Sequence, residues 1–124
     1  MPQATALTAA AMVTEARGLV VGGWCQGANA RDKRGAEVPA WSEDARSWSL
    51  LGALLASWHR HEANAHQADV VAHLADAEAL GGATQVLGDA VGTTSLANWN
   101  DEPARTQADV VGAFDRALRL LEVR

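Results

Sequence analysis

The histidines are the side chains whose type and spacing come closest to a metal site; they lie at positions 59, 61, 66 and 73. His61-Glu62 followed by His66 shares its residue types with the zinc-protease motif. That motif needs two histidines four residues apart on one helix face, and these two are five apart. His66 and His73 are able to share a helix face, but two histidines without a third ligand make a weak zinc site. We therefore predict no metal ion and no cofactor.

The single cysteine lies in the pentapeptide Gly23–Gly27, which matches a nucleophile elbow with cysteine in place of serine. Such an elbow requires a strand before it, a helix after it and a parallel sheet around it. The residues that follow favour a loop and no sheet is predicted, so we expect no catalytic residue here. A site formed by Cys25 and a histidine stays open as an alternative.

Turn-forming residues are concentrated between Trp99 and Arg105, just before a strongly amphipathic segment. Asn100 and Asp101 favour turns because their side chains bond nearby backbone amides. Pro103 fixes its own φ, and Arg105 is predicted to pair with Asp101 across the turn. This stretch is either a rigid corner that orients the last helix or an exposed recognition surface. The residue types favour the corner.

Tryptophan is frequent, with five in 124 residues. Trp48 and Trp58 fall on an apolar helical band and are predicted to lie in the core. The other three fall at helix ends or in loops; if clustered they would line a pocket, and if exposed they would act as interface hot spots. The candidate binding residues are Trp24, Gln26, Trp99, Asn100, Asp101 and Arg105.

Three stretches of the chain carry a resemblance to known proteins. They are Gly23-Trp24 with Gln26-Gly27, the segment from Ala45 through Trp48 to Gly52-Ala53-Leu54, and Trp99-Asn100-Asp101 with Pro103, Arg105-Thr106 and Val110. Together they resemble a family of small bacterial and phage proteins, a domain of unknown function. The resemblance covers most of the chain in the same order. It implies one compact domain and brings no catalytic residue, cofactor or substrate; Cys25 and Ser49 depart from the usual pattern.

The segment after the corner predicts a helix that ends near Leu121. Thr106 is a good N-cap, and Asp109 completes a capping box three residues later. One face of this helix is apolar at helical spacing and carries Val110, Val111, Phe114, Ala117, Leu118 and Leu121.

The first helix is predicted over about Thr5–Val21, with Thr5 or Thr8 as its N-cap. Its apolar residues keep helical spacing, and Gly22-Gly23 ends it. A short strand at Leu19–Val21 is the alternative, but no partner strand is predicted for it.

A loop is predicted from Trp24 to Ala40, and at about seventeen residues it is long for a compact domain. Ser42 is predicted to cap a second helix that runs to about Glu62. Gly52 costs this helix about 1 kcal/mol relative to alanine. We interpret Gly52 as a point where another helix, or Trp99 itself, packs close to the backbone.

A third helix is predicted to begin at Asn64, with Gln67 at the capping-box position, and to end at Gly81-Gly82. A short fourth helix is predicted over Thr84–Val91. The buried stripe of the third helix is predicted to be Val70, Val71, Leu74, Ala77 and Leu80. The whole chain, residues 1–124, is thus predicted to be a single all-α domain, a compact bundle of four to five helices with a long loop after the first.

Composition excludes several classes of function. The net charge is −5 and the pI about 5.2, which argues against a nucleic-acid partner, since that needs a basic face. The longest apolar run is too short to cross a membrane, and the N-terminus lacks the positive charge of a secretory signal. One cysteine permits no intrachain disulfide and fits a reducing compartment. We expect a cytoplasmic protein.

These observations favour a non-catalytic protein-interaction or regulatory module, with an unidentified protein or a second copy of the chain as its partner. The phage members of the resembling family suggest, by analogy, a partner in the host cell. The alternative is a small-molecule-binding protein or enzyme with a pocket near Trp24, Trp99, Asp101 and Arg105. A concave pocket lined by these residues favours the alternative, whereas packing of the same residues into the fold favours an interaction module.

Overall fold

Helices dominate the structure, a computed structural model that describes the backbone of residues 7–64 and 70–124 and the side chains of residues 7–62 and 74–124. The five helices are α1 (Ala9–Gly22), α2 (Leu50–Asn64), α3 (Val70–Val91), α4 (Leu96–Asn100) and α5 (Gln107–Glu122). The chain is 62% helical, which confirms the predicted predominance of helix.

The core forms where the four long helices meet. α1 and α3 pack against each other and against both α2 and α5, while the short α4 packs against α2 and α3. The largest fully buried side chains come from all of the long helices: Met12, Leu50, Leu54, Leu87 and Phe114. Burial of each contributes roughly 1.5–3 kcal/mol, so this shared core holds the bundle together.

A small antiparallel sheet lies between α1 and α2, so the prediction of a purely all-α fold was wrong. Its strands are β1 (Ala30–Arg31), β2 (Glu37–Val38) and β3 (Ser47–Trp48), in the order β2-β1-β3. Ala30 lies opposite Val38 on one side and opposite Trp48 on the other. Strands of two residues show no alternating pattern, which explains why β1 and β2 were predicted as loop and β3 as part of the second helix.

α1 begins at the second of the two predicted caps. The Thr8 hydroxyl accepts a hydrogen bond from the Ala11 amide at 3.0 Å. The run Leu19–Val21 is helical, so the strand alternative was wrong. Met12, Val13, Ala16 and Val20 form the buried face.

α2 begins at Leu50 rather than after Ser42. The Ser42 hydroxyl accepts from the Asp44 amide at 3.1 Å and closes only a local turn. Ser49 takes the capping role, because its hydroxyl accepts from the Gly52 amide at 3.0 Å. Both serines have the chemistry of an N-cap. Pairing of Ser47–Trp48 in β3 decides between them.

α3 continues through Gly81-Gly82 to Val91, so the predicted break and the separate helix over Thr84–Val91 were wrong. A buried stripe lies on both sides of the glycines and consists of Ala79, Ala83, Val86 and Leu87. Burial of that stripe outweighs about 1 kcal/mol of propensity lost at each glycine. Asn64, the predicted cap of the third helix, is the last residue of α2. Its side chain, Gln67 and the side chains of Val70 and Val71 lie outside the described residues, and Leu74 is exposed.

α5 begins as its sequence predicts. The Thr106 hydroxyl accepts from the Asp109 amide at 3.1 Å, and the Asp109 carboxylate accepts from the Thr106 amide at 3.0 Å. These two bonds form the predicted capping box. Phe114 is fully buried on the inner face. Across the described residues, none of the helices combines the length and apolar character needed to cross a membrane.

Candidate binding site around the C-terminal corner

Asn100 lies at the centre of the C-terminal corner, which we define as residues Trp99–Thr106. Its side chain is fully buried. Its Oδ1 accepts from the Trp24 indole at 2.8 Å and from the Leu50 amide at 3.0 Å. Its Nδ2 donates to the Cys25 carbonyl at 3.1 Å and to Asp101 Oδ1 at 3.0 Å. The carboxamide thus uses both acceptor positions and both donors within the chain.

Gln26 and Gly27, in the segment that follows α1, form hydrogen bonds with the corner. The Gln26 amide group donates to the backbone carbonyls of Asn100 and Glu102, at 2.9 and 2.8 Å. The Gly27 amide donates to Asp101 Oδ1 at 2.9 Å. Gly27 has a φ of 77°, a left-handed conformation that favours glycine. The corner and the segment after α1 are therefore held together through both side chains and backbone.

Gly52 lets the same segment lie directly against α2. A Cβ at this position would lie 1.8 Å from the Asn29 carbonyl oxygen, which is too close for any side chain. That carbonyl accepts from the Ser49 amide at 3.0 Å. The interpretation of Gly52 as a close-approach point was therefore right, but its neighbour is loop backbone rather than a helix or Trp99.

Arg105 stacks on Trp99. Its Cζ lies 3.8 Å from the indole centroid, and its Nε donates to the Trp99 carbonyl at 2.9 Å. Its Nη2 lies 3.1 Å from the Glu102 carboxylate. Arg105 therefore pairs with Glu102, and the predicted pair with Asp101 was wrong because Asp101 accepts from Gly27 and Asn100 instead.

Trp99 and Arg105 also line an open cleft of about 400 Å³ on the outer side of the corner. We call this the corner cleft; its lining residues are Ala90, Val91, Trp99, Arg105, Ala108, Asp109, Gly112 and Arg116. Arg116 is anchored there because its Nε donates to the Ala90 carbonyl at 3.2 Å.

The six candidate residues thus divide into two groups. Trp99 and Arg105 line the corner cleft, whereas Trp24, Gln26, Asn100 and Asp101 form the hydrogen bonds that join the corner to the segment after α1. Sequence reasoning missed Gly112 and Arg116. A glycine inside a helix, followed one turn later by an arginine, was the available signal.

The sequence model described as "Family of unknown function (DUF6197)" matches residues 4–120. The chain belongs to this family. No curated protein and no solved structure matches it. Roles for residues of the DUF6197 chain are therefore argued from its own contacts.

Cys25 of the DUF6197 chain lies in a buried position, and its thiol points to the Ala28 carbonyl at 3.7 Å. Burial raises the pKa of the Cys25 thiol, and a hydrogen bond with the Ser47 side chain offsets this only in part. A neutral thiol is a poor nucleophile. The chain before Cys25 is α1 and the next element is β1, so the strand–turn–helix frame of a nucleophile elbow is not formed here.

The histidines of the DUF6197 chain are not gathered around one point in the described part of the structure. His61 Nε2 lies 2.8 Å from the Glu15 carboxylate of α1. His66 and the His73 side chain lie outside the described residues. Within residues 7–62 and 74–124, no group of three potential metal-ligating side chains is found.

Trp41 differs from the other tryptophans of the DUF6197 chain because 53% of its surface is exposed. Its ring stacks on His59, with centroids 4.8 Å apart and planes 14° from parallel. Trp48 and Trp58, predicted to be core residues, are partly buried against the core. The Trp48 indole donates to the Ala40 carbonyl at 3.0 Å. The backbones of Trp24 and Trp48 form an isolated parallel β-bridge.

Proposed function

We propose that this chain is a non-catalytic protein-interaction module that docks its partner on the Trp41 surface, defined as Leu19, Trp41, Trp48 and His59. The observation that carries the proposal is the exposed, stacked indole of Trp41. Tryptophan is enriched among residues that dominate binding energy, and burial of this indole by a partner would recover the apolar area that the fold leaves in water.

The stack on His59 fixes the Trp41 ring before a partner arrives. Immobilising a free side chain on binding costs about 0.5–1.5 kcal/mol, and a ring that is already held avoids much of that loss. Stacked aromatic pairs contribute about 0.5–1.5 kcal/mol beyond their buried area. The stacking therefore supports a preorganised docking residue.

The surroundings of Trp41 have the arrangement of a small interface. A cleft of about 380 Å³ lies beside the ring, with Leu19, Trp48 and Ala56 among its lining residues and Glu43 and Arg60 at its edge. Apolar centres with a charged rim are typical of protein–protein contacts. We infer a protein partner that inserts an aliphatic or aromatic side chain and presents charges of both signs to the rim.

The hydrogen bonds of the corner also support a non-catalytic role. Asn100 uses all of its hydrogen-bonding positions within the fold, and Asp101 accepts from both Gly27 and Asn100. These polar groups therefore serve the structure rather than a reacting substrate. Self-association, a bacterial or phage origin and a cytoplasmic location stay predictions.

Site-specific crosslinking tests the proposal. Photoreactive benzoylphenylalanine is placed at Glu43, on the rim, and at the exposed Glu122 of α5 as a matched control. Both proteins are irradiated in an extract of the source cells with an excess of unlabelled competitor. We expect one adduct from position 43 and none from position 122. Unlabelled wild-type protein should suppress the position 43 adduct, whereas unlabelled Trp41→Ala should not. The mass of the adduct shows whether the partner is a second copy of this chain or another protein.

Two results would overturn the proposal. One is the absence of an adduct at position 43. The other is an adduct that wild-type and Trp41→Ala competitors suppress equally, because binding would then not depend on the indole. A melt of Trp41→Ala confirms that the competitor is folded, and we expect a loss of about 1–3 kcal/mol, since the substitution removes a half-buried ring and its stack on His59.

A further inference from the structure

We propose that the corner cleft binds a small organic carboxylate that carries a flat apolar body. The cleft lies on α3, α4 and α5, whereas the Trp41 surface is built from α1, α2 and the segment between them. The inference therefore stands or falls separately from the proposed docking surface.

The contacts of Arg105 within the fold already hold its guanidinium group in a position to bind a carboxylate. Its side chain is only 18% exposed, and it is held by the Trp99 ring and the Trp99 carbonyl. The carboxylate that it now contacts belongs to Glu102, whose side chain is 61% exposed. A guanidinium fork matches the two oxygens of a carboxylate. A largely solvated glutamate is easily displaced, so a ligand carboxylate in the corner cleft, which Arg105 lines, would replace Glu102 on the guanidinium group.

Arg116 supplies a second guanidinium group to the same cleft. Its Nε is bound to the Ala90 carbonyl, which orients the side chain from a backbone anchor as in Arg105. The acid among the lining residues is Asp109, and its carboxylate is bound to the Thr106 amide in the capping box. The lining thus carries two cations and one acid whose role is structural, while the Glu102 carboxylate that pairs with Arg105 belongs to a residue outside the lining. Displacement of Glu102 from Arg105 would leave a net positive charge on the cleft, which favours an anionic ligand.

Gly112 provides the room for the apolar part of the ligand. A Cβ at this position would meet, among the described residues, Arg116 Nη1 at 3.7 Å, which is an ordinary contact. Packing therefore does not require glycine here, although glycine is the less favourable residue in a helix interior. The missing side chain leaves the cleft open beside Trp99, Val91 and the two alanines. The cleft thus joins these apolar side chains to the two guanidinium groups, and an organic carboxylate is able to contact both, whereas a bare inorganic anion contacts only the charges.

A titration followed by NMR tests the inference. The probe is benzoate, with benzyl alcohol as the neutral control of similar shape and inorganic phosphate as the control without an apolar body. The readout is the indole N–H signal of Trp99 in uniformly ¹⁵N-labelled protein, identified by its loss in Trp99→Phe. We expect benzoate to shift this signal saturably, and the two controls to shift it less than benzoate does at the same concentration.

Four variants test the roles of single residues. Arg116→Gln should weaken benzoate binding by about tenfold or more, because one charged hydrogen bond contributes that much. Gly112→Leu should fill the cleft and abolish the shift. Gly18→Leu, at a helical glycine of α1 with nothing near its Cβ, should bind as the wild type does. Glu102→Gln should bind benzoate more tightly, because the internal competitor loses its charge.

The inference is overturned if the Trp99 signal shows no saturable shift up to about 20 mM benzoate, well above a millimolar Kd. It is equally overturned if benzyl alcohol or phosphate acts as strongly as benzoate. Should Gly112→Leu fail to fold, Arg116→Gln decides alone, because this exposed side chain lies outside the core. Undiminished binding by a folded Arg116→Gln contradicts the assigned role of that residue.

Discussion

Replacement of Asn100 by alanine removes the side chain that joins two segments of the chain, Trp24–Cys25 and the start of α2, to the corner. It leaves the Leu50 amide and the Cys25 carbonyl without their partner, and both residues are buried, at 0% and 8% exposure. Each buried orphaned group costs about 1–3 kcal/mol. The Trp24 indole is half-buried and is able to reach water, so it adds little. We therefore expect Asn100→Ala to lower the free energy of unfolding by about 3–5 kcal/mol.

Urea denaturation followed by circular dichroism measures this change. The matched control is Asn98→Ala, because Asn98 lies on the same short helix and is exposed; its effect should stay within about 0.5 kcal/mol. In a thermal melt the Asn100 variant should lose roughly 10–20 °C, since 1 kcal/mol corresponds to roughly 3–5 °C in a chain of this size. A loss below about 1 kcal/mol for Asn100→Ala would refute the structural role that we assign to the corner.

Three further substitutions or reactions give independent checks. Phe114→Ala should cost about 3–5 kcal/mol in urea denaturation because the ring is fully buried, and an unchanged midpoint would contradict that placement. Gly52→Ala should destabilise by at least about 2 kcal/mol because its Cβ would strike the Asn29 carbonyl, whereas Gly18→Ala should be neutral or stabilising by up to about 1 kcal/mol. Because burial raises the pKa of Cys25, its iodoacetamide reaction should have a pH midpoint above about 8.5, and a midpoint at or below that value would contradict the burial.

The sign of the associated pH dependence follows from the same pKa direction. The folded state holds the Cys25 proton more tightly than the unfolded state does. The stability that the folded state gains by holding this proton more tightly is fully present below the pKa of the unfolded thiol. It is lost as the pH rises through the higher pKa of the folded thiol.

Where both partners of a contact lie within a few residues, the sequence was sufficient to predict the structure. The capping box of α5 is such a case, because Thr106 and Asp109 are three residues apart. The Thr8 cap of α1 is another. The buried face of α5 was also predictable, since helical spacing alone identifies it.

Where long-range contacts decide between equal local signals, sequence reasoning failed. Ser42 and Ser49 are chemically equivalent caps, and α2 begins after the second because its first turn is held by Asn29 and Asn100. The β-strands are two residues long and pair across distant segments, so they leave no periodic pattern. The glycines of α3 carry a breaking signal, but the buried stripe on both sides overrides it.

The candidate site shows the same limit. The residue types between Trp99 and Arg105 predicted a corner. The hydrogen bond from Asn100 to the Cys25 carbonyl, however, spans 75 positions of sequence and has no local signature. Turn chemistry therefore could not tell which corner residues maintain the fold and which line a cleft. Arg116 and Gly112 line the cleft only because α5 packs against α3, which places them near Trp99 of α4.

Trp24 is bound within the corner, whereas we propose that Trp41 serves a partner, and indole hydrogen exchange distinguishes these two roles. The Trp24 N–H is bound to Asn100 Oδ1, whereas the Trp41 ring is 53% exposed. We expect slow exchange at Trp24 and fast exchange at Trp41. In Asn100→Ala the protection should be lost at Trp24 and retained at Trp48, which donates to Ala40. Equal exchange at Trp24 and Trp41, or protection of Trp24 that survives the Asn100 substitution, would contradict these two roles.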